Sequence, residues 1–180
     1  MKKLFMILPL TLIFCFTVGC QNKEAMAELE EFKAQAEIEK QNIVLAKLYV
    51  ETFNKRNFEA FKELLSSDYA IYSPSGYPKP TSREKLIENY KEALNIFPEF
   101  TWSIEDMIVA GDKVVSRIII KGTYKGGVPD LPVTEKEFKF SLITIMRIEN
   151  GKVVEEWQED DQLGLVRQLG MELTPKKAEK

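Results

Sequence analysis

The sequence contains no histidine, and only two of its 180 residues are cysteine. Histidine is the commonest general base and the commonest metal ligand in proteins, so its absence excludes a histidine-based catalytic triad and a histidine–metal site. The formal net charge is −3 at pH 7, without the clustered Lys and Arg that bind phosphate backbones, so no nucleic-acid partner is expected. The hydrophobic fraction of 44% is sufficient for a folded core, and the length suits one domain with additional segments.

The N-terminus has the pattern of a targeting signal. Lys2 and Lys3 precede an apolar run, and the segment ends in Thr17-Val18-Gly19-Cys20, which resembles the lipobox of bacterial lipoproteins. In such signals the Cys becomes the lipidated first residue of the mature protein, so residues 1–19 would be removed as a lipoprotein signal peptide. The pattern therefore predicts attachment to the membrane through lipid on Cys20, in the bacterial cell envelope, with the domain outside the cytoplasm. A plain signal peptide or a single membrane anchor is the alternative.

A charged tether is predicted between Cys20 and the domain. Residues 21–41 are rich in Ala, Glu, Lys and Gln and contain no Pro or Gly, so their helix propensity is high. An apolar spacing that begins at Leu29 and Phe32 continues into the domain. This segment is therefore either the start of one long helix or a partly helical, solvated spacer. The domain itself is expected over residues 42–170, followed by a flexible tail over 171–180.

Three helices are predicted in the first half of the domain. Residues 42–53 carry apolar side chains on more than one face, which predicts a well-buried helix. Asn57 is placed to cap a short second helix. A short strand is predicted over Tyr69–Tyr72. The run Thr81–Glu84 fits a capping box that would start the third helix, and Pro98 would end it.

Strands are predicted from Phe100 onward. Two strands surround the tight turn at Gly111-Asp112, and a long alternating strand follows over residues 136–148. The residues expected on one face of that strand are Phe138, Phe140, Leu142, Met146 and Ile148. Asn150-Gly151 is a favoured hairpin turn, after which a last strand and a short helix complete the domain. Helices followed by strands indicate an α+β fold, in which a curved antiparallel sheet and the three helices enclose an apolar pocket.

The last strand combines the densest acidic cluster of the chain with one of its two tryptophans. Alternate residues of a strand point to the same face, so four residues are expected to share one side. They are Glu155, Trp157, Glu159 and Asp161. If that face is concave and dry, ligand recognition or chemistry would be located there. The acidic residues themselves fit a solvated strand edge better than a metal cluster, because their spacing matches no calcium-binding loop, and no metal is expected. They are Glu155, Glu156, Glu159 and Asp160.

Each candidate residue also has a purely structural interpretation. Trp157 either lines the pocket, where it would stack on a flat ligand, or closes the core. Asp161 either faces the pocket or caps the C-terminal helix, and it could do both. Tyr69, Tyr72 and Tyr124 either supply pocket hydroxyls or pack in the core.

Three stretches carry a resemblance to a known family: NIVLAKLYVETFNKRNFEAFKELLSSDYAIYSP, AGDKVVSRIIIKGTYKG and RIENGKVVEEWQEDDQLGLVRQLG. The chain resembles the SnoaL-like polyketide cyclases, also called ester cyclases, of the nuclear-transport-factor-2-like superfamily, over about residues 42–170. The final stretch, with its pattern W…DQLGL…QLG, is the most distinctive. The resemblance implies a cone-shaped α+β barrel, a deep apolar pocket and frequent dimerisation through the sheet, so a homodimer is expected.

The resemblance also implies a chemistry. Characterised cyclases of this family close a polyketide ring by an intramolecular aldol step, in which a pocket aspartate acts as general acid and base without a metal or an organic cofactor. That aspartate corresponds to Asp161. Positions that often hold histidine in these cyclases hold Tyr72 and Tyr124 here, and Trp157 and Glu159 complete the expected pocket. The expected function is binding of a small apolar molecule, and the expected activity, if the protein is an enzyme, is that of a cofactor-free cyclase or isomerase. The alternative is a non-catalytic ligand-binding, dimerisation or partner-binding module.

Overall fold

The structure is a computed structural model that describes residues 7–74, 76, 79–127, 133–172 and 174, with side chains from residue 23 onward. Two compact units are present, residues 1–40 and residues 41–180. Residues 1–6 of the expected signal, the side chain of Cys20 and most of the expected tail lie outside this description. Among the described residues, no helix combines the length and the apolar character that a membrane span needs.

The helices follow the predicted pattern with one correction. Their bounds are α1 Ile7–Asn54, α2 Phe58–Glu63, α3 Arg83–Ile96 and α4 Gln162–Gln168. Residues 21–41 are helical throughout. Asn57 caps α2 as predicted, since its side chain accepts a hydrogen bond from the Ala60 amide at 3.1 Å. The capping box predicted at Thr81–Glu84 is wrong: Ser82 is the cap of α3, because Thr81 and Ser82 are extended and pair with an earlier strand.

The strands form one six-stranded sheet. Their bounds are β1 Leu65–Tyr72, β2 Thr81–Ser82, β3 Thr101–Ala110, β4 Lys113–Thr123, β5 Glu137–Glu149 and β6 Lys152–Asp160, and their order in the sheet is β2-β1-β6-β5-β4-β3. Strands β3 to β6 form the predicted antiparallel meander. The sheet is mixed rather than fully antiparallel, because β1 runs parallel to β6. The connection between β1 and β6 contains α3 and four strands, which is long enough for a parallel pairing.

One face of this sheet is buried in the core, and we call it the inner face; the opposite face is the outer face. On β5 the buried residues alternate with exposed or half-buried ones over its whole length, as predicted. They are Phe138, Phe140, Leu142, Thr144, Met146 and Ile148. Asn150 and Gly151 both have positive φ, 52° and 71°, which is the conformation that a tight hairpin turn between β5 and β6 requires.

The helices supply the other half of the core. Tyr49 and Phe53 of α1 are fully buried, and Leu86 and Ile87 of α3 join the same cluster as the inner face of the sheet. The inner face is therefore the enclosed side of the domain. The structure thus confirms the α+β fold with helices on one side of a curved sheet.

Candidate functional site

A β-bulge in β6 decides which of its side chains enter the core. Val153 pairs with Ile148 and Glu155 pairs with Arg147, so Val154 is an extra residue with no partner position on β5. Val153 is buried, and simple alternation from it would place residues 155, 157 and 159 inside. The extra residue reverses the alternation, because a shift of one residue moves every later side chain to the other face.

The residues that β6 turns inward are polar. Glu156 and Gln158 are buried, and Asp160 follows them on the same face at the end of the strand. The predicted set of Glu155, Trp157 and Glu159 does share one face, but that face is the outer one.

Glu156 is the centre of this inner-face row. Its side chain is 0% exposed, and both carboxylate oxygens accept two hydrogen bonds each. Oε2 accepts from the hydroxyls of Tyr49 at 2.9 Å and Tyr69 at 2.7 Å. Oε1 accepts from Thr144 Oγ1 at 2.7 Å and Gln158 Nε2 at 2.8 Å. Four donors occupy the acceptor positions of an ionised carboxylate, which offsets the loss of its hydration.

The tyrosines around Glu156 remain protonated. Burial, followed by the charge of Glu156, raises the pKa of Tyr49 and of Tyr69 well above the ordinary value for tyrosine. Burial, again followed by the charge of Glu156, also raises the pKa of Tyr90, whose hydroxyl interacts with Tyr49 and Gln158. These groups are therefore hydrogen-bond donors rather than bases.

Asp160 is the acid at the open end of the row. It is half-buried, and burial is the main cause that raises its pKa above the ordinary value for aspartate. The neighbouring charges of Glu159 and Asp161 act in the same direction, whereas hydrogen bonds from the Gln162 side chain and from the backbone oppose them. A carboxyl group with a raised pKa is better suited to exchange protons near neutral pH than an ordinary surface aspartate.

Aromatic rings pack beside this polar row. Trp102 stacks on Phe53 with ring centroids 3.8 Å apart, and Tyr49 and Tyr90 contact the same indole at 5.9 Å and 5.4 Å. Trp102 Nε1 and Ser116 Oγ are buried without a hydrogen-bond partner among the described residues. The interior therefore presents flat apolar surfaces together with two polar atoms whose hydrogen bonds are not made.

The structure places three of the residues predicted for the pocket together, but on the outer face of the sheet, and it places Tyr124 apart from them. Tyr72 and Trp157 stack on each other, 6.1 Å apart, on the outer face, and Glu159 is exposed there. Tyr124 is fully buried, but it packs against Phe97 rather than beside those residues.

Asp161 occupies the capping position that the sequence offered as its alternative. It is exposed, and its Oδ1 accepts a hydrogen bond from the Gly164 amide at 2.8 Å at the start of α4. A side chain at position 164 would overlap the Asp161 carboxylate, so the glycine keeps this cap in place. Its acid–base role stays a prediction.

Of the buried network, sequence reasoning missed Tyr49, Tyr90, Thr144 and Gln158, and it offered Tyr69 either as a pocket hydroxyl or as a core residue. The solvated strand edge predicted for Glu156 is wrong, because the bulge turns this side chain into the core. One signal was available. Thr144 lies between Leu142 and Met146 on the face of β5 that was predicted to be buried. A polar side chain at this position requires a polar partner inside the core. The partner could not be found because the bulge at Val154 is not evident from the sequence.

No group of three or more acidic or cysteine side chains is arranged to hold a metal ion within the described parts of the chain.

Comparisons with known proteins place this domain in a family. The family model of SnoaL-like polyketide cyclases matches residues 43–169. Wild-type IdmH of Streptomyces antibioticus, named as a candidate polyketide cyclase, is 25% identical with a TM-score of 0.67, over 73% of this chain and 99% of that chain. A candidate polyketide cyclase of Bacillus cereus is 26% identical with a TM-score of 0.60, over 72% and 80% of the two chains. One from Acidithiobacillus ferrooxidans is 26% identical with a TM-score of 0.63, over 72% and 94%.

Among curated protein sequences, none matches this chain. The family match covers most of the chain, and the solved structures share both the fold and a quarter of the residues. The chain belongs to the SnoaL-like polyketide cyclase family.

Proposed function

We propose that the domain binds a small, largely apolar molecule against the inner face of its sheet and acts on it as a cofactor-free acid–base catalyst. The observation that carries this proposal is the row Glu156, Gln158 and Asp160, three polar residues on the inner face of one strand in a mainly aromatic and aliphatic interior. A strand used only for packing would have apolar residues there. The solved relatives named as candidate polyketide cyclases support ring closure as the reaction.

The proposed reaction is an intramolecular aldol step. A base removes a proton from the carbon beside one carbonyl, the enolate attacks a second carbonyl of the same molecule, and the new alkoxide is protonated. Asp160 takes the first proton and returns it to the alkoxide, so no net proton is consumed. Tyr90, whose buried hydroxyl has a raised pKa and therefore keeps its proton, donates a hydrogen bond to the substrate oxygen. Glu156 positions the tyrosines.

The test compares two neighbouring acids. Asp160→Asn should lower turnover of a polycyclic aromatic keto ester by about 100-fold or more, with little change in binding, because general acid–base groups typically contribute that much. Asp161→Asn is the matched control, since Asn preserves the helix cap. Turnover and ligand-induced thermal shift should be measured for both. If Asp161→Asn abolishes turnover and Asp160→Asn does not, the acid is Asp161. If neither variant nor the parent protein turns over or binds any member of a panel of such compounds, the enzymatic proposal fails.

A second candidate function is assembly through the outer face, and a specific row of residues favours it. Side chains of five neighbouring strands lie directly opposite one another across that face. They are Ile108, Val115, Ile145, Trp157 and Tyr72. Ile108 is 65% exposed, so the row leaves apolar surface in contact with water. We propose that a second copy of the domain covers it in a homodimer.

Light scattering on the purified protein tests this second function. Ile145→Lys places a charge in the centre of the row and should convert the dimer to a monomer. Ser141→Lys is the control, because Ser141 is exposed on the same face of β5 but outside the row. A parent protein that is monomeric at working concentrations would exclude this interface.

The membrane location is also a proposal, and the lipobox sequence ending at Cys20 supports it. We propose that the protein is held by lipid on Cys20 in the bacterial cell envelope. Cys20→Ser should release the protein from membranes and remove the acyl mass from its N-terminus, whereas Cys15→Ser should do neither. Mass spectrometry of an N-terminal peptide without added acyl mass would contradict the anchor.

A further inference from the structure

The N-terminal part of α1 carries exposed apolar residues along one side. Phe32 is 72% exposed and Leu29 is 44% exposed, with Met26 beside them at 52%. Single exposed apolar residues are ordinary on a protein surface, but three neighbours on one helical stripe form a contiguous patch. The patch lies within the unit formed by residues 1–40.

Leu29 and Phe32 belong to a longer row whose spacing is that of a coiled-coil seam, with Met26 beside it. Ala25, Leu29, Phe32 and Ala36 are separated by four, three and four residues, the alternation that keeps side chains facing a partner helix. Glu39 occupies the next seam position and ends the apolar stretch. The seam is therefore short, with four layers over about three turns of helix.

Charges that flank the seam select the partner and its direction. Glu28 lies on one side of the seam, and Lys33 and Lys40 lie on the other. In a parallel pair of identical helices, Glu28 of one copy faces Lys33 of the other, and the contact occurs twice by symmetry. In an antiparallel pair, the lysine side of one helix would face the lysine side of the other. The charges therefore favour a parallel arrangement.

Within each helix, the same charges also stabilise the segment. Lys33 contacts Glu30, and Lys40 contacts Glu37, each at 3.7 Å. Residues 23–40 contain six glutamates and three lysines, so an anionic lipid surface would repel this segment. A second copy of the chain fits the stripe better than a membrane does.

We infer that residues 25–36 of α1 pair in parallel with the same segment of a second copy of this chain. This contact is separate from the proposed outer-face dimer and from any catalysis in the domain. Its role would be to gather copies side by side through their N-terminal helices.

Matched cysteine pairs in the full chain test the inference. Ala36→Cys lies in the seam and Ala34→Cys on the opposite side of the same helix, while Ala25→Cys and Ala27→Cys form a second such pair. Under mild oxidation the seam variant of each pair should give roughly fivefold more disulfide-linked dimer, because only seam positions meet across two coiled helices. The unsubstituted chain measures any background from Cys15 and Cys20.

Equal cross-linking within each pair would overturn the inference, and so would cross-linking to a different protein. The comparison of two faces of one helix distinguishes this contact from a dimer formed elsewhere in the protein. A dimer formed elsewhere would bring both faces of α1 equally close to a second chain. The two seam variants also test whether the helices pair in parallel. In a parallel pair each seam position faces the same position of the second copy, so both Ala25→Cys and Ala36→Cys form disulfides. In an antiparallel pair these two positions cannot both face their own counterparts.

A charge exchange tests the pairing of Glu28 with Lys33. Lys33→Glu should lower the dimer yield of Ala36→Cys by roughly threefold, since two exposed ion pairs become repulsive. Adding Glu28→Lys should restore the yield, because positions 28 and 33 then carry opposite charges again. The contact within one helix between residue 33 and Glu30 stays lost in the double variant, so it cannot account for the recovery. A double variant that remains as low as the single variant would contradict the charge pairing.

Discussion

Glu155 and Glu156 are adjacent residues of the same type with opposite environments. Glu155 lies on the outer face, where it accepts a hydrogen bond from Arg147 Nε at 2.6 Å near solvent. Glu156 is fully buried and accepts hydrogen bonds from four uncharged donors. The chemistry of the two side chains is identical, so the difference arises from the bulge at Val154. One extra backbone residue decides which carboxylate enters the interior.

The two tryptophans repeat this contrast. Trp102 is inside, stacked on Phe53, whereas Trp157 is half-buried on the outer face against Tyr72. The inner face therefore contains both the large aromatic surface and the buried charge. The outer face contains an ion pair and an apolar row that can serve a partner. Substitutions on the inner face should consequently affect mainly the stability of the fold, whereas substitutions on the outer face should affect mainly assembly.

The largest expected difference is between the tryptophans. Trp102→Ala should lower the free energy of unfolding by about 4 kcal/mol, because a buried aromatic truncation leaves a cavity and loses its transfer free energy. Trp157→Ala should cost about 1 kcal/mol, since it loses mainly one partly exposed ring contact. Urea denaturation of both variants measures the difference. Equal losses would mean that Trp157 is part of the core.

The glutamates give the next largest difference. Glu156→Gln keeps the shape of the side chain, but its amide group would face two hydroxyl donors and leave them unsatisfied, at a cost of about 3 kcal/mol. Glu155→Gln removes one outer-face ion pair and should cost less than about 1 kcal/mol. Both should be compared by denaturation at constant pH. If Glu155→Gln is the more damaging variant, the assignment of faces is inverted.

The sequence was sufficient to predict elements whose pattern is local. The alternation of Phe138 and Ile148 identified the buried face of β5, Asn150-Gly151 identified the hairpin, and Asn57 identified a helix cap. In each of these cases, neighbouring residues determine the geometry. The family resemblance added the fold, which the match to residues 43–169 confirms.

The site was less predictable because it depends on contacts between distant residues. Tyr49 and Glu156 are 107 positions apart in the sequence, and their hydrogen bond exists only once α1 and β6 pack together. Alternation correctly grouped Glu155, Trp157 and Glu159 on one face of β6, but the bulge at Val154, which the sequence does not reveal, makes that face the outer one. The parallel pairing of β1 with β6 was also missed, because the order of strands in a sheet depends on tertiary packing between distant residues.

Tyrosines on the two faces give a smaller difference. Tyr69→Phe removes one of four donors to Glu156 and should cost about 2 kcal/mol, the range of a hydrogen bond to a charged group. Tyr72→Phe keeps the stacked ring on the outer face and should leave the stability almost unchanged. Thermal unfolding of the two variants at the same pH makes the comparison. A loss in Tyr72→Phe equal to that in Tyr69→Phe would remove the distinction between the two hydroxyls.

The smallest effect is expected at the end of β6, where Asp160 continues the inner-face row and Asp161 caps α4. The pKa of Asp160 is raised mainly by burial, so at pH values just above 3.8, the ordinary value for aspartate, the folded state binds more protons than the unfolded state. Stability contributed by this group is therefore greatest at low pH and falls as pH rises through the raised pKa. Asp160→Asn should remove that part of the pH dependence.

Asp161→Asn should reduce this pH dependence only in part, because the charge of Asp161 is one of the lesser causes that raise the pKa of Asp160. Denaturation curves of the parent and both variants, taken from about pH 3.5 to 7 across the range where aspartate ionises, separate these contributions. If Asp160→Asn leaves the pH dependence unaltered, Asp160 is not buried enough to exchange protons as the proposed catalyst. In that case Asp160 would not be the catalytic acid, although Glu156 would still be buried, because its burial does not depend on Asp160. The inner face would then serve ligand binding only.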